Sequence, residues 1–495
     1  MNKKQQNAIF FWSAVFSIVI ALWGIIGSDS FSKVSSSLME QLKAHFSWLY
    51  LGTMLLFVLF SLIVAFSKFG RIRLGDENEK PEYSTISWFA MLFGAGMGIG
   101  LVFWGVAEPL SHYVKPMAGI EAQSTEAMYF SIRSCFMHWG LHPWACYAVM
   151  GLGLAYFQFH KKETVLVSNI FIPLIGKKNA NGTPGKIIDI FTTVLTVIGV
   201  ASSFGMGCLQ ICSGFEHLFS IPNTLITWII VITVICFIYL KSAISGVGKG
   251  IKKLSDINLI LFVALLIVGF IIGPKKEILS LLAVGTKDYI INFFPDSLRL
   301  SSNGDPSWIQ NWRVFYWAWW LSWAPFVGVF IARISKGRTV REFILGVMVI
   351  PTIVSSVWFS VFGGLSFHAA SNFNENQITA ILGAVETALF YVFDQYHLGI
   401  ILSLIAVVLL VTFFVTSANS ATFVLSMLTS DGNPDPPDSK KIFWGILIAV
   451  VALALILSGG ISFIQTFSIV IAFPYLLILL LIAVNLILAF RQDEK

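Results

Sequence analysis

Twelve predominantly apolar runs of about 20 residues or more follow one another along the chain. They lie at roughly 8–27, 47–67, 86–108, 134–159, 187–214, 222–240, 256–274, 312–334, 342–366, 395–428, 442–459 and 462–490. A run of this length crosses the hydrocarbon core as a helix, because lipid offers no partner to backbone N–H and C=O groups left unpaired. The expected fold class is therefore an all-α polytopic membrane protein with twelve transmembrane helices. Only 12% of the residues are charged, about half the share in a soluble domain, which excludes a soluble enzyme, a nucleic-acid binder and a disordered scaffold. The first run follows Lys3 and Lys4 but is too long for a signal-peptide core and has no small-x-small cleavage site, so it is expected to stay as an anchor.

The basic residues alternate in density between successive loops. Of 32 Lys and Arg, 23 fall in one set of loops and nine in the other, and the positive-inside rule then places both termini in the cytoplasm of a multi-pass cell-membrane protein. The net charge of +6 thus describes topology and not a polyanionic partner. Five cysteines, Cys135, Cys146, Cys208, Cys212 and Cys236, lie within apolar runs and read as small buried hydrophobes.

Two runs carry helix-breaking residues. Gly94, Gly96, Gly98 and Gly100 alternate through the third, and glycine costs about 1 kcal/mol against alanine in a helix, so this span is expected to unwind near mid-membrane. A second interruption is expected in the eighth, at Trp323-Ala324-Pro325-Phe326-Val327-Gly328. Broken spans in matching places mark transporters built from inverted repeats, with the substrate and ion sites between them. The expected organisation is a short N-terminus with two peripheral helices (1–85), a first five-helix repeat (86–274), an extracellular connector with an amphipathic segment (275–311), a second repeat (312–490) and a short cytoplasmic tail (491–495). A channel filter or ring of pore charges has no counterpart in the sequence.

Aromatic residues reach 15%, with 16 tryptophans. Trp317, Trp320 and Trp323 recur every third residue and share a helix face, with Trp319 pointing elsewhere, while Trp139, Trp144 and Tyr147 surround Pro143 in the fourth run. Convergent ring faces suit a cation without N–H donors, which only cation–π and dispersion contacts can hold. In the tenth run, Phe414, Thr416 and Ser417 offer oxygens for a hard cation such as Na⁺. Glu108, Asp189, Asp256 and the pair His138/His142 are the candidate buried ionisable groups. For the histidines a hydrogen-bonded structural role is favoured over metal ligation, because no third ligand is evident.

The segments GAGMGIGLVFWGVAEPL, HWGLHPWACY, SAISGVGKG, FYWAWWLSWAPFVGVFIARISKGRTVREFILGV and FFVTSANSA resemble the betaine/carnitine/choline transporter family, and within it the Na⁺-coupled glycine betaine carriers. The resemblance implies an inverted five-helix repeat of the LeuT type after two extra helices, and a homotrimer. It implies an aromatic box at Trp139, Trp144, Tyr147 and Trp320, with Trp323 on the exit path and Ser203 near the substrate carboxylate. The resemblance also implies that Ala95, Met97 and Gly100 line the same pocket. A Na⁺ site falls on Gly94, Met97, Phe414, Thr416 and Ser417, and gating aromatics fall on Phe103, Phe326 and Phe330. A possible second Na⁺ position falls on Thr196 and Phe326, but Val200 stands where the family pattern has another threonine. Gly100 replaces the aspartate of a choline-specific relative, which favours a zwitterion. The terminal extensions of some osmotically regulated relatives have no counterpart in these 495 residues.

The expected function is therefore Na⁺-coupled import of glycine betaine or a related quaternary-ammonium solute by alternating access. A proton-coupled choline importer, a carnitine/betaine exchanger and a membrane receptor or enzyme are the alternatives.

Overall fold

Glycine divides the third and fourth apolar runs. In the computed structural model, which describes residues 3–96, 98–244 and 248–493, α1 (Lys3–Ile26) and α2 (Ser28–Phe66) are followed by α3 (Thr85–Gly96) and α4 (Ile99–Val114), and then by α5 (Thr125–Trp139) and α6 (Leu141–Ala155). Between α3 and α4, Gly98 has φ −136° and ψ −134°. Between α5 and α6, Gly140 has φ −98° and ψ −134°, and a Cβ there would stand 2.3 Å from the Phe136 carbonyl oxygen. The third span is thus interrupted as expected, over fewer residues than its four glycines suggest. The fourth is broken at Gly140, one turn before Pro143.

The short α7 (Val167–Ile170) and α8 (Ile172–Ala180) lead into α9 (Thr183–Phe219), α10 (Leu225–Ile244) and α11 (Gly248–Ile272). The connector expected at 275–311 contains α12 (Lys275–Ile291) and α13 (Phe293–Leu298). Next come α14 (Phe315–Ile334) and α15 (Val340–Ala370), then α16 (Glu375–Gly383) and α17 (Ala388–Phe393). The chain ends with α18 (Gly399–Leu428), α19 (Asp438–Leu457) and α20 (Gly460–Asp493). Among the described residues, ten helices are individually long and apolar enough to cross a membrane. The third and fourth runs contribute none of these ten, because each is a pair of helices of 12 and 16 or 15 and 15 residues. The segments Glu375–Gly383 and Val385–Phe393 meet at 109°, two short helices that only together are long and apolar enough to form a broken span or a re-entrant loop.

The eighth span corrects the sequence reading. α14 runs unbroken through Pro325, and its irregular turn lies earlier, as a π-helix at Ile309–Val314. A proline inside a helix costs about 3 kcal/mol, but 17 of the 20 residues of α14 are buried against α6, α9 and α20, and that packing holds the helix together. Gly199 of α9 allows the close approach, since a Cβ there would stand 2.6 Å from the Ser322 carbonyl oxygen.

Outward faces carry exposed apolar side chains such as Ile63, Phe237 and Ile260, as a lipid solvent requires. The loops sort into two faces. Gly337 donates to the Leu74 carbonyl, Lys336 pairs with Glu79, Lys162 with Asp76 and Lys161 with Asp493, which gathers the basic-rich loops at one end. The Lys336 partnership holds the Glu79 carboxyl below its usual range. At the opposite end Lys43 bonds Asn311, Arg133 pairs with Asp296, and Ser302 donates to the Ala118 carbonyl.

Candidate functional site

The break at Gly140 places three aromatic residues around one point. Trp139 ends α5, while Trp144 and Tyr147 are one turn apart near the start of α6. Trp320 of α14 lies between them, with ring centroids 4.9 Å from Trp139 and 5.7 Å from Tyr147, both edge to face. Trp144 meets Tyr147 edge to face at 5.5 Å. All four are buried, and the rings pack on one another instead of around a gap. A methylammonium group needs ring faces turned toward it within about 6 Å, so loading this cluster requires α14 and α6 to separate or Trp320 to rotate.

Hydrogen bonds tie the cluster to the helix break. Trp320 Nε1 donates to the His138 carbonyl at 2.8 Å, taking up one of the carbonyls that the end of α5 leaves without an intrahelical partner. The hydroxyl of Tyr289 accepts from Leu141 N–H at 3.1 Å at the start of α6. Trp323 Nε1 donates to the Gly199 carbonyl at 2.8 Å.

Trp319, expected to face away, belongs to the cluster. Its ring is 5.2 Å from Trp320 and 5.9 Å from Trp139, and its Nε1 donates to Ser203 Oγ at 3.2 Å. Adjacent helix positions differ by only about 100°, and two indoles are large enough to flank one partner from both sides. Gly100 closes the group: a Cβ there would lie 2.6 Å from Trp319 Cη2 and 3.2 Å from Trp139 Cη2.

Behind the cluster lies Glu108 of α4, fully buried. Its Oε2 accepts from Trp139 Nε1 at 2.8 Å and from the Tyr316 hydroxyl, and its Oε1 meets His138 Nδ1 at 2.7 Å and His112 Nε2 at 3.3 Å. Glu108, His112 and His138 are close enough to hold a metal ion. The carboxylate already faces four donor groups, however, and an ion would have to displace the two histidine bonds, so a hydrogen-bonded hub fits the geometry better. His142 turns away to Ser297 Oγ at 2.9 Å. Asp189 is buried and accepts from Ser168 N–H, whereas Asp256, expected buried, is exposed. The hub was only partly legible in the sequence, because Tyr316 and His112 lie in stretches whose aromatic residues read alike.

The second candidate site is the break between α3 and α4. Gly94 and Ala95 fall in the last turn of α3, and Met97 lies outside the described residues. A Cβ on Gly98 would stand 3.5 Å from Ser417 Oγ, so Ser417 of α18 meets the break. Thr416 Oγ1 donates to the carbonyls of Thr412 and Phe413 at 3.1 Å and accepts from Asn258 Nδ2 at 3.2 Å. Asn258 is a residue the sequence reading missed; its Oδ1 is buried with no partner among the described residues. Phe414 stacks on Phe204 with centroids 4.3 Å apart. Thr196 Oγ1 is bonded to the Thr192 carbonyl at 2.7 Å, and Val200 is buried beside it.

A cavity of about 570 Å³ opens between α3, α11, α14 and α18, lined by Tyr83, Asp256, Asn258, Phe326, Phe330, Thr416 and Ser417 among others. The ring of Phe326 stands 5.4 Å from Trp323. Phe103 is instead wholly buried against Trp104.

Comparison with known proteins shows the family. A family model described as "BCCT, betaine/carnitine/choline family transporter" matches residues 8–495. The chain is 43% identical to the glycine betaine transporter OpuD of Bacillus subtilis, over 98% of this chain and 95% of the relative. It is 40% identical to a probable glycine betaine transporter of Desulfitobacterium hafniense, over 99% of each. An ectoine/hydroxyectoine transporter of Virgibacillus pantothenticus is 38% identical over 100% of this chain and 99% of its own length.

Proposed function

The chain belongs to the betaine/carnitine/choline transporter family, and from that premise we propose that it imports glycine betaine, or a closely related quaternary-ammonium solute, in symport with Na⁺ by alternating access. The observation that carries the substrate reading is the cluster of Trp139, Trp144, Tyr147 and Trp320 at the Gly140 break. Four aromatic rings, with no carboxylate among them, hold a methylated cation by cation–π contact, each face contributing about 0.5–2 kcal/mol. Gly100 leaves no room at the cluster for a charged side chain, which favours a solute that brings its own carboxylate.

Na⁺ is cargo in this reading. The α3/α4 break, Ser417 beside Gly98, and Thr416 beside Asn258 support a cation path between α4, α11 and α18. A Na⁺ moving down about 100 mV supplies roughly 2.3 kcal/mol of electrical work, more than a decade of solute accumulation. The basic-rich loop face is assigned to the cytoplasm on the positive-inside rule, and the homotrimer implied by the family resemblance is part of the same proposal.

The test is labelled betaine uptake into proteoliposomes with Na⁺ replaced by K⁺ at fixed potential. Uptake that persists unchanged overturns the Na⁺ coupling. One observation favours a second reading, proton-coupled choline import: the buried Glu108–His138–His112 cluster could carry a proton. A pH jump without Na⁺ that drives choline uptake establishes it.

A further inference from the structure

Two cavities lie end to end on the way from the aromatic cluster to the basic-rich face. The larger, of about 570 Å³, reaches Phe326 and Phe330. The second, of about 310 Å³, is lined by Phe330, Arg333, Asn419, Ser420 and Phe423 among others. Phe330 and Ser420 border both. α14 carries Trp320, Trp323, Phe326, Phe330 and Arg333 at intervals of three and four residues, a spacing that keeps neighbours in reach along one side of a helix. The aromatic series therefore ends on a guanidinium.

Arg333 is the one charged residue among the described residues that line the smaller cavity. It is exposed, and none of the ion pairs among the described residues involves it. Its guanidinium carbon sits 5.2 Å from the ring centroid of Phe423 on α18. A guanidinium in this setting has a vacant fork that matches a carboxylate in two parallel hydrogen bonds. The ring it covers would accept another cation if the guanidinium turned toward an anion.

We propose that this smaller cavity is a second binding station for a zwitterionic methylammonium carboxylate, with Arg333 taking the carboxylate and Phe423, beside Phe330, taking the cationic end. The inference rests on the transport function proposed above and adds a step to it. A zwitterion released from the aromatic cluster meets both its partners here at once. A cation that lacks a carboxylate meets a positively charged cavity and is repelled, so the station sorts zwitterions from choline-like solutes at the mouth. The competing role for Arg333 is that of a topology anchor at a helix end, which would act on insertion and not on solute affinity.

Right-side-out and inside-out membrane vesicles separate the two, with betaine KM measured from each face. Arg333→Gln is expected to raise KM roughly tenfold, the equivalent of about 1.4 kcal/mol, from the face on which Arg333 lies, and to leave KM from the other face within twofold. Arg333→Lys should recover most of the loss, and Phe423→Leu should raise the same-face KM severalfold. An equal change from both faces, or no change in KM with less protein in the membrane, overturns the station. Failure of the unaltered protein to move betaine from either face overturns the transport reading itself. Normal transport with a symmetric variant response overturns only the station.

Discussion

The indole N–H of Trp139 and the carboxylate of Glu108 are joined by a 2.8 Å hydrogen bond between two fully buried side chains. Through it, a residue on α4 that is not part of the aromatic cluster sets the angle of the ring that opposes Trp320.

Removing that carboxylate should damage both fold and affinity. Glu108→Ala leaves the Trp139, Tyr316 and His138 groups facing a void, and each buried donor without a partner costs about 1–3 kcal/mol. A clear drop in melting temperature and in yield of folded protein is expected in detergent. Glu108→Gln keeps the volume and one acceptor. It should fold, bind betaine about tenfold more weakly and blunt the effect of a second change at Trp139. Additive effects of Glu108→Gln and Trp139→Phe on affinity would disconnect the two residues.

Gly100 makes a sterically explicit prediction. A methyl at this position falls 2.6 Å from Trp319 Cη2, well inside contact distance and against a ring locked by its bond to Ser203. Gly100→Ala is expected to lower betaine uptake at least tenfold while leaving the amount of protein in the membrane near normal. Trp319→Phe removes the colliding atom, so the double variant should transport better than Gly100→Ala alone. Failure of the second change to restore any uptake would mean that the collision is not the cause.

Trp320 separates cation binding from packing. Trp320→Ala removes one ring face, worth about 0.5–2 kcal/mol, and should weaken betaine binding by up to roughly thirtyfold in titration calorimetry. Trp320→Phe keeps an aromatic face but frees the His138 carbonyl, so a smaller loss is expected. Equal losses for the two would assign Trp320 to packing and its hydrogen bond.

What could be read from the sequence follows from which signals are local. Apolar runs report solvent, so the helical membrane fold was legible, and glycine alternation reports backbone cost, so the α3/α4 break was too. Pro325 misled, because the price of a proline is local while the packing that offsets it around α14 is not. The break at Gly140 was missed because a lone glycine three residues before Pro143 shows no repeated pattern of the kind at Gly94 to Gly100. Trp319 was assigned by angle alone, and the reach of an indole ring overrides angle. Asn258 gave no signal at all, since its relation to Thr416 spans 158 residues of sequence.

The Na⁺ reading is tested at that last contact. Thr416→Val removes an oxygen while keeping the shape, and should raise the Na⁺ concentration for half-maximal uptake at least tenfold, with little change in betaine KM at saturating Na⁺. Asn258→Leu withdraws the amide that bonds the Thr416 hydroxyl, and a shift in the same direction of a few fold is expected. At the possible second position Thr196 supplies a single hydroxyl, Val200 offers no oxygen, and a phenyl ring such as that of Phe326 cannot replace a hard ligand. Thr196→Val should therefore leave the Na⁺ dependence unchanged, with a Hill coefficient near one in both proteins. A coefficient near two that falls to one in Thr196→Val would instead establish a second ion and place it on α9.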